Sequence, residues 1–267
     1  MLTAHRRSSR PVRLAGMLLL ALLTVALMGC ASLGSSGKGD RDPDPQAPEI
    51  LAAEGMAAFN SGRYRKALKI FQEIRDRYPF SSVGPLAELK LADANFQLRR
   101  YQEAHGLYQE FENNHPTNEA IPYVLFQMGM SHYQRIGTVD RDPAHAINAI
   151  AAFTRLNRAF PDSPYAVEAA ARIMAARDFL ARHEMYVAVF FVKTKEYDQA
   201  VGRLRYLQDT YPDSSVAPQA GELLAAIEAG NPPTRRWRDW LPDLSLDSWR
   251  GFFDALSPGV SAGDGSL

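Results

Sequence analysis

The chain of 267 residues has a single cysteine, Cys30, so no disulfide can form within it. Neither sign of charge is in excess: 30 Lys and Arg balance 30 Asp and Glu. That balance argues against a nucleic-acid partner, which would call for a basic stripe. Histidine is scarce, six residues at positions 5, 105, 115, 132, 145 and 183, and none forms the His-Glu-x-x-His zinc pattern. There is no Gly-x-Ser-x-Gly elbow for a nucleophilic serine. The run Gly34-Ser35-Ser36-Gly37-Lys38-Gly39 lacks the Ser or Thr that a phosphate loop carries after its lysine, and no strand precedes it. The longest apolar run, Leu14 to Leu27, is too short for a comfortable membrane span, which takes about 20 residues. The reading is therefore of a non-enzyme: no catalytic residue, no metal ligand set and no cofactor.

The N-terminus carries an address. His5, Arg6, Arg7, Arg10 and Arg13 precede the apolar stretch, the order of a secretory signal peptide. Leu27-Met28-Gly29-Cys30 then resembles a bacterial lipobox, with Leu three before the Cys and Gly just before it. The resemblance implies a signal peptide over residues 1–29 and Cys30 as the lipidated new N-terminus. Ala31, a residue other than Asp after that Cys, implies sorting to the outer membrane. Residues 30–48, Gly/Ser-rich and then Asp/Pro-rich, read as a flexible tether.

Residues 49–230 are periodic. Gly62-Arg63-Tyr64 leads to Ala67, then Phe71 four residues on and Pro79 twelve on. The pattern returns as Ala104, Tyr108 and Pro116, as Ala149, Phe153 and Pro161, and as Ala200, Leu204 and Pro212. Ala permits close approach of two helices, and the large residue at i+4 fills the gap on the same face. Pro then stops the second helix of each pair. The unit resembles the tetratricopeptide repeat, and it predicts an all-α, right-handed superhelix of helix–turn–helix pairs. Ile50, Leu51, Ala57 and Ala58 are assigned to the core of the first helix, and Leu86, Leu89, Leu91 and Ala92 to that of the third. Residues 136–145 interrupt the third repeat with a Gly- and Pro-containing charged loop. Ser163 is expected to cap a long helix with Pro164 in its first position, running to about Thr194. A partner helix from Tyr197 to Thr210 and a final one from Ser215 to Glu228 follow.

Three stretches carry a closer resemblance: Arg77-Tyr78-Pro79-Phe80, Val139-Asp140-Arg141-Asp142-Pro143, and Ala159-Phe160-Pro161-Asp162-Ser163-Pro164-Tyr165. With Leu180-Ala181-Arg182-His183-Glu184-Met185-Tyr186 they are similar to the BamD (ComL-type) lipoproteins. That resemblance implies a periplasm-facing scaffold on the outer membrane, part of the machinery that folds β-barrel proteins. The implied partners are a barrel protein with POTRA domains (BamA-type), other assembly lipoproteins, and unfolded outer-membrane β-barrel proteins read through an aromatic-ending signal. Arg203 matches an arginine on the partner-facing C-terminal region. This chain departs from the family after Pro212, where one helix and an unusual tail stand in place of a full fifth repeat.

Phe59, Phe96 and Tyr133 recur at intervals of 37 residues in successive first helices. Met56, Asp93 and Met130 share a second register, and Phe126 lies a turn before Met130. Met and aromatic side chains on a groove would suit an extended aromatic-bearing peptide; an aromatic stripe at helical spacing is more usually core that packs between repeats. Asp140, Arg141 and Asp142 are read either as a structural fastening or as a partner contact. In the tail, residues 231–267, Trp237, Trp240 and Leu241 share a face, and Trp249, Phe252, Phe253 and Leu256 fall at helical spacing. A cap on the open end of the superhelix is the first reading, with an interfacial helix, a docking segment and plain disorder as the alternatives. The competing reading of the whole chain is a repeat scaffold for pilus or polysaccharide secretion, or for cell-wall synthesis.

Overall fold

The repeat pattern becomes a ladder of α-helices in a computed structural model that describes residues 47–233 and 236–243. Among the described residues the helices are α1 Ala47–Asn60, α2 Tyr64–Arg77, α3 Gly84–Gln97, α4 Tyr101–Asn114, α5 Ile121–Tyr133, α6 Ala144–Ala159, α7 Ala166–Thr194, α8 Tyr197–Thr210 and α9 Ala217–Glu228. A short 3-10 turn, Trp237–Trp240, follows. Each helix packs mainly on the next, and no strand interrupts them among the described residues. The chain is thus all-α and built of stacked pairs, as the periodicity predicts. Cys30 and the signal peptide lie outside the described residues, as does the tail beyond Asp243. The first described helix already includes Ala47 and Pro48.

The repeated Ala and large residue form the interior of every pair. Ala67, Phe71 and Ile74 are fully buried, and so are Ala104 with Tyr108, Ala149 with Phe153 and Leu156, and Ala200 with Leu204 and Leu207. Facing them, Gly55, Ala92 and Gly129 recur every 37 residues on the first helices. A Cβ on Gly129 would stand 2.5 Å from Cε1 of Phe153, and one on Gly55 2.8 Å from Cε1 of Phe71. Glycine is required there by ring proximity, not by backbone shape. The core falls into two clusters, one from α1 to α3 and one from Ala92 to Ile227, and Leu107 packs on both.

The joints repeat as faithfully as the helices. Tyr78, His115, Phe160 and Tyr211 end the second helices with the same backbone, φ between −138° and −130°. Each then accepts an amide three residues on, and a second such step opens the next helix: Ser81 to Tyr78 and Gly84 to Ser81 in the first copy, Ser214 to Tyr211 and Ala217 to Ser214 in the last. Inside a pair, Gly62, Arg99 and Lys195 take positive φ of 72°, 59° and 66°. The amide after each bonds the carbonyl five residues back, Arg63 to Ala58, Arg100 to Asn95 and Glu196 to Phe191. That 6→1 bond marks a Schellman ending, which favours glycine at the left-handed position.

Several sequence expectations are corrected here. The long helix starts at Ala166, not at Pro164; Ser163 and Pro164 sit in the preceding turn, because the three-residue steps from Phe160 must close first. Ser163 still uses its hydroxyl locally, accepting the Tyr165 amide at 3.2 Å. The last helix likewise begins at Ala217, not Ser215. Ile50 and Leu86 are 63% and 38% exposed, since the Gly55/Ala92 face points inward instead of theirs.

Candidate partner and substrate surfaces

The stripe of aromatic and Met positions divides in two. Phe59 and Phe96 are half-buried, each edge-on to the tyrosine that opens the following helix, Tyr64 and Tyr101, with ring centroids 5.2 Å apart. Met56 is half-buried beside them. Phe126, Met130 and Tyr133 belong instead to the core, with Tyr133 only 2% exposed. Phe126 stacks on Tyr165 of the next repeat at 5.4 Å and meets Phe153 at 5.7 Å, so it fills the joint between repeats. Of the seven stripe residues, only Met56, Phe59 and Phe96 remain where an incoming chain could touch them in this conformation.

Asp93 explains much of this division. It is 3% exposed and fully engaged. Its Oδ1 accepts the Tyr108 hydroxyl at 2.7 Å and the Tyr123 hydroxyl at 2.8 Å, and its Oδ2 accepts Lys90 Nζ at 2.9 Å. The carboxylate therefore pins α3 to α4 and α5. It reads as a structural linchpin between the second and third repeats, not as a group free to meet a peptide. Burial, and then the Asp93 charge, push the hydroxyls of Tyr108, Tyr123 and Tyr165 up, so all three stay protonated donors. Lys90, held by Asp93, in turn lies over the Phe59 ring at 5.1 Å. The half-exposed end of the stripe thus pairs an aromatic face with a positioned ammonium. Sequence reasoning passed over Lys90 and Tyr123; their signal was the spacing to Asp93, three residues on the same helix for Lys90, which only a buried carboxylate makes meaningful.

A second surface lies on the C-terminal half. Arg203 on α8 is half-exposed and donates to Glu184 Oε2 on α7 at 3.1 Å. Around the pair, Gln199, Gly202 and Tyr206 shape an open depression of about 340 Å³. A Cβ on Gly202 would meet nothing within 4 Å among the described residues, so the floor is open to an approaching chain. Tyr206, 48% exposed, offers a large amphipathic face beside it. An exposed ion pair of this kind contributes little to folding, which leaves the guanidinium available to a partner carboxylate.

The insertion is both fastened and displayed. Val139 is fully buried, and its carbonyl is 2.6 Å from Nδ1 of His183 on α7, which donates to it. Asp142 Oδ1 accepts the Ala144 amide at 2.9 Å, an Asx turn that leads the chain into α6. Asp140, Arg141 and Asp142 themselves are exposed. A hydrogen bond from Thr138, and then the nearby Arg141 and His183, hold the Asp140 carboxyl below its ordinary range. Asp178, a buried carboxylate on α7 that the repeat pattern does not mark, accepts the Ser215 amide at 2.7 Å and Arg182 Nε at 2.8 Å. It ties the long helix to the start of the final one.

In the described part of the tail, Trp237, Trp240 and Leu241 pack against the core, and Lys193 of α7 lies over the Trp237 ring at 5.1 Å. Trp249, Phe252, Phe253 and Leu256 lie outside the described residues. Among the described residues no three His, Cys, Asp or Glu side chains form a metal site, and no helix is long and apolar enough to cross a membrane.

Residues 45–231 match the family model YfiO, described as an outer membrane lipoprotein. A protein of Vibrio cholerae named outer membrane protein assembly factor BamD is 30% identical over 183 residues, covering 65% of this chain and 76% of that one. The protein of that name from Pasteurella multocida is 27% identical, over 64% of this chain and 69% of its own. The one from Rickettsia prowazekii is 31% identical, over 59% and 63%.

Proposed function

The chain belongs to the YfiO family of outer membrane lipoproteins, and from that premise we propose that it is a lipid-anchored scaffold of β-barrel assembly on the periplasmic face of the outer membrane. Its work is non-covalent. Cys30 carries the lipid, and residues 31–46 tether the repeats to the bilayer. The depression around Arg203 takes the POTRA-bearing barrel protein, with Tyr206 as its aromatic anchor. Asp140, Arg141 and Asp142 form a second contact for the assembly lipoproteins, on a loop that Val139 and His183 hold in place. The half-exposed end of the stripe, Met56, Phe59 and Phe96 with Lys90, takes an extended, aromatic-bearing segment of an unfolded barrel protein.

The observation that carries this reading is the Arg203 depression: a guanidinium held by one carboxylate, beside an exposed tyrosine and an open glycine floor. The relatives named above share the assembly role in their names, which is why the secretion and wall-synthesis scaffolds fall behind. The test is an affinity capture of the full-length lipoprotein from detergent-solubilised membranes. Arg203→Glu is expected to lower recovery of the barrel protein about tenfold, since charge reversal repels the partner carboxylate. Phe59→Ala with Phe96→Ala is expected to weaken crosslinking to unfolded barrel segments while leaving that recovery intact. Undiminished recovery with Arg203→Glu, or capture of secretion proteins alone, would remove the proposal.

A further inference from the structure

Three histidines that lie far apart in sequence meet where the second repeat joins the third. His105 on α4, His132 on α5 and His145 in the first turn of α6 stand in a row. Ring centroids are 4.5 Å apart for the first pair, edge to face, and 6.0 Å for the second. The Nδ1 atoms of His132 and His145 are buried and have no hydrogen-bond partner among the described residues. The charged groups that bear on the row are Arg135 and Asp142. Arg135 lies just past α5 and reaches Gln102 of α4 at 3.4 Å. Asp142 lies in the insertion beside His145, with its Oδ1 engaged by the Ala144 amide.

Neutral imidazoles fit this row and imidazolium ions do not. Both nitrogens of the cation are donors, and at His132 and His145 one of them would point at no acceptor. A positive charge would also face its neighbours in the row and Arg135, against a single carboxylate. Burial comes first, followed by these repulsions, and together they hold all three below the ordinary histidine range, His132 at about 4.

We propose that the row is a proton-sensitive joint, in which protonation releases the insertion and the first turn of α6 from α5 and opens the junction between the second and third repeats. The sign follows from linkage. In the open state these groups titrate near 6.5. The closed junction is therefore fully favoured above that pH, and the preference is lost as pH falls from about 6.5 towards 4. The other side of the insertion keeps its own anchors, the His183 bond to Val139 and the buried Ile136 and Val139. What acid loosens is the α6 side, next to the exposed Asp140-Arg141-Asp142 run. The joint itself does not depend on what that run binds.

The test is amide hydrogen exchange on the full-length protein in detergent at pH 7.5 and 5.0, corrected for the intrinsic pH dependence of exchange. Protection over residues 134–148 is expected to fall about tenfold at the lower pH, a figure reduced for the partial exposure of His132. Protection in Ala47–Arg77 is expected to stay constant. Replacing His132→Gln and His145→Gln together removes the fall. Arg135→Gln, which lifts one repulsion and leaves the row in place, makes it smaller. Should the double substitution unfold the junction, Arg135→Gln decides alone. Constant protection in the unaltered protein, or an undiminished fall with Arg135→Gln, overturns the joint.

Discussion

Asp93→Ala is the substitution whose effect can be worked out most fully. Three donors converge on this carboxylate from three places: Tyr108 on α4, Tyr123 on α5 and Lys90 one turn back on α3. Removing the acceptor strands the Tyr108 hydroxyl in a fully buried position, at about 1–3 kcal/mol for an unsatisfied donor. Tyr123 is only partly buried and recovers some water, so it adds roughly 1 kcal/mol. Lys90 is partly exposed and turns outward at small cost. The expected loss is about 3 kcal/mol. Asp93→Asn keeps an acceptor oxygen for the tyrosines but forfeits its charge, so it should cost about half as much. Urea unfolding followed by helical circular dichroism gives both values. Tryptophan fluorescence would report on the C-terminal end alone, because all three tryptophans lie in the tail. The decisive control is Asp93→Ala with Tyr108→Phe and Tyr123→Phe. Taking away the stranded donors should restore about 2 kcal/mol, because removing both partners is far less costly than removing one. If the triple variant is no more stable than Asp93→Ala, the loss comes from a cavity and the linchpin argument fails.

Two further substitutions probe the repeat geometry. Gly129→Ala places a Cβ 2.5 Å from the Phe153 ring; overpacking of about 1–3 kcal/mol outweighs the helix-propensity gain of about 1 kcal/mol, and adding Phe153→Leu should recover the difference, as read by urea midpoints. Arg99→Gly and Lys195→Gly relieve left-handed backbone at φ 59° and 66° and should each stabilise by up to about 1 kcal/mol, raising the thermal midpoint, whereas Gly62→Ala, at φ 72°, should lower it.

The helices and their order were legible in the sequence because they rest on local physics. An Ala and a large residue one turn apart dictate a shared helix face, and Pro at a fixed distance dictates where that helix stops. Phe71, Tyr108, Phe153 and Leu204 accordingly all reach the interior. The insertion was legible as an interruption of the period. Helix starts were read two residues early at Pro164 and Ser215, because the turn after each second helix closes by backbone bonds that leave no mark on side-chain pattern.

The site was less legible, for a different reason. Register could align Phe59, Phe96 and Tyr133, yet it could not say which of them a neighbouring repeat would cover. Coverage depends on the following pair: Phe59 meets Tyr64 edge-on and has Lys90 over its face yet stays half-buried, whereas Tyr133 is shut in by Phe153 of α6 and by Arg172 of α7, 4.9 Å from its ring. Asp93 looked like a polar member of a groove until three donors from separate helices closed on it. The three histidines gave no signal at all along the chain, since 27 and then 13 residues separate them. By itself the sequence determined the helical repeat and its breaks, because each depends on residues within a turn or two of one another. Only the tertiary structure decided which side chains are buried, which carboxylate is engaged and which imidazoles meet, because burial and charge are set by what the next repeat brings alongside.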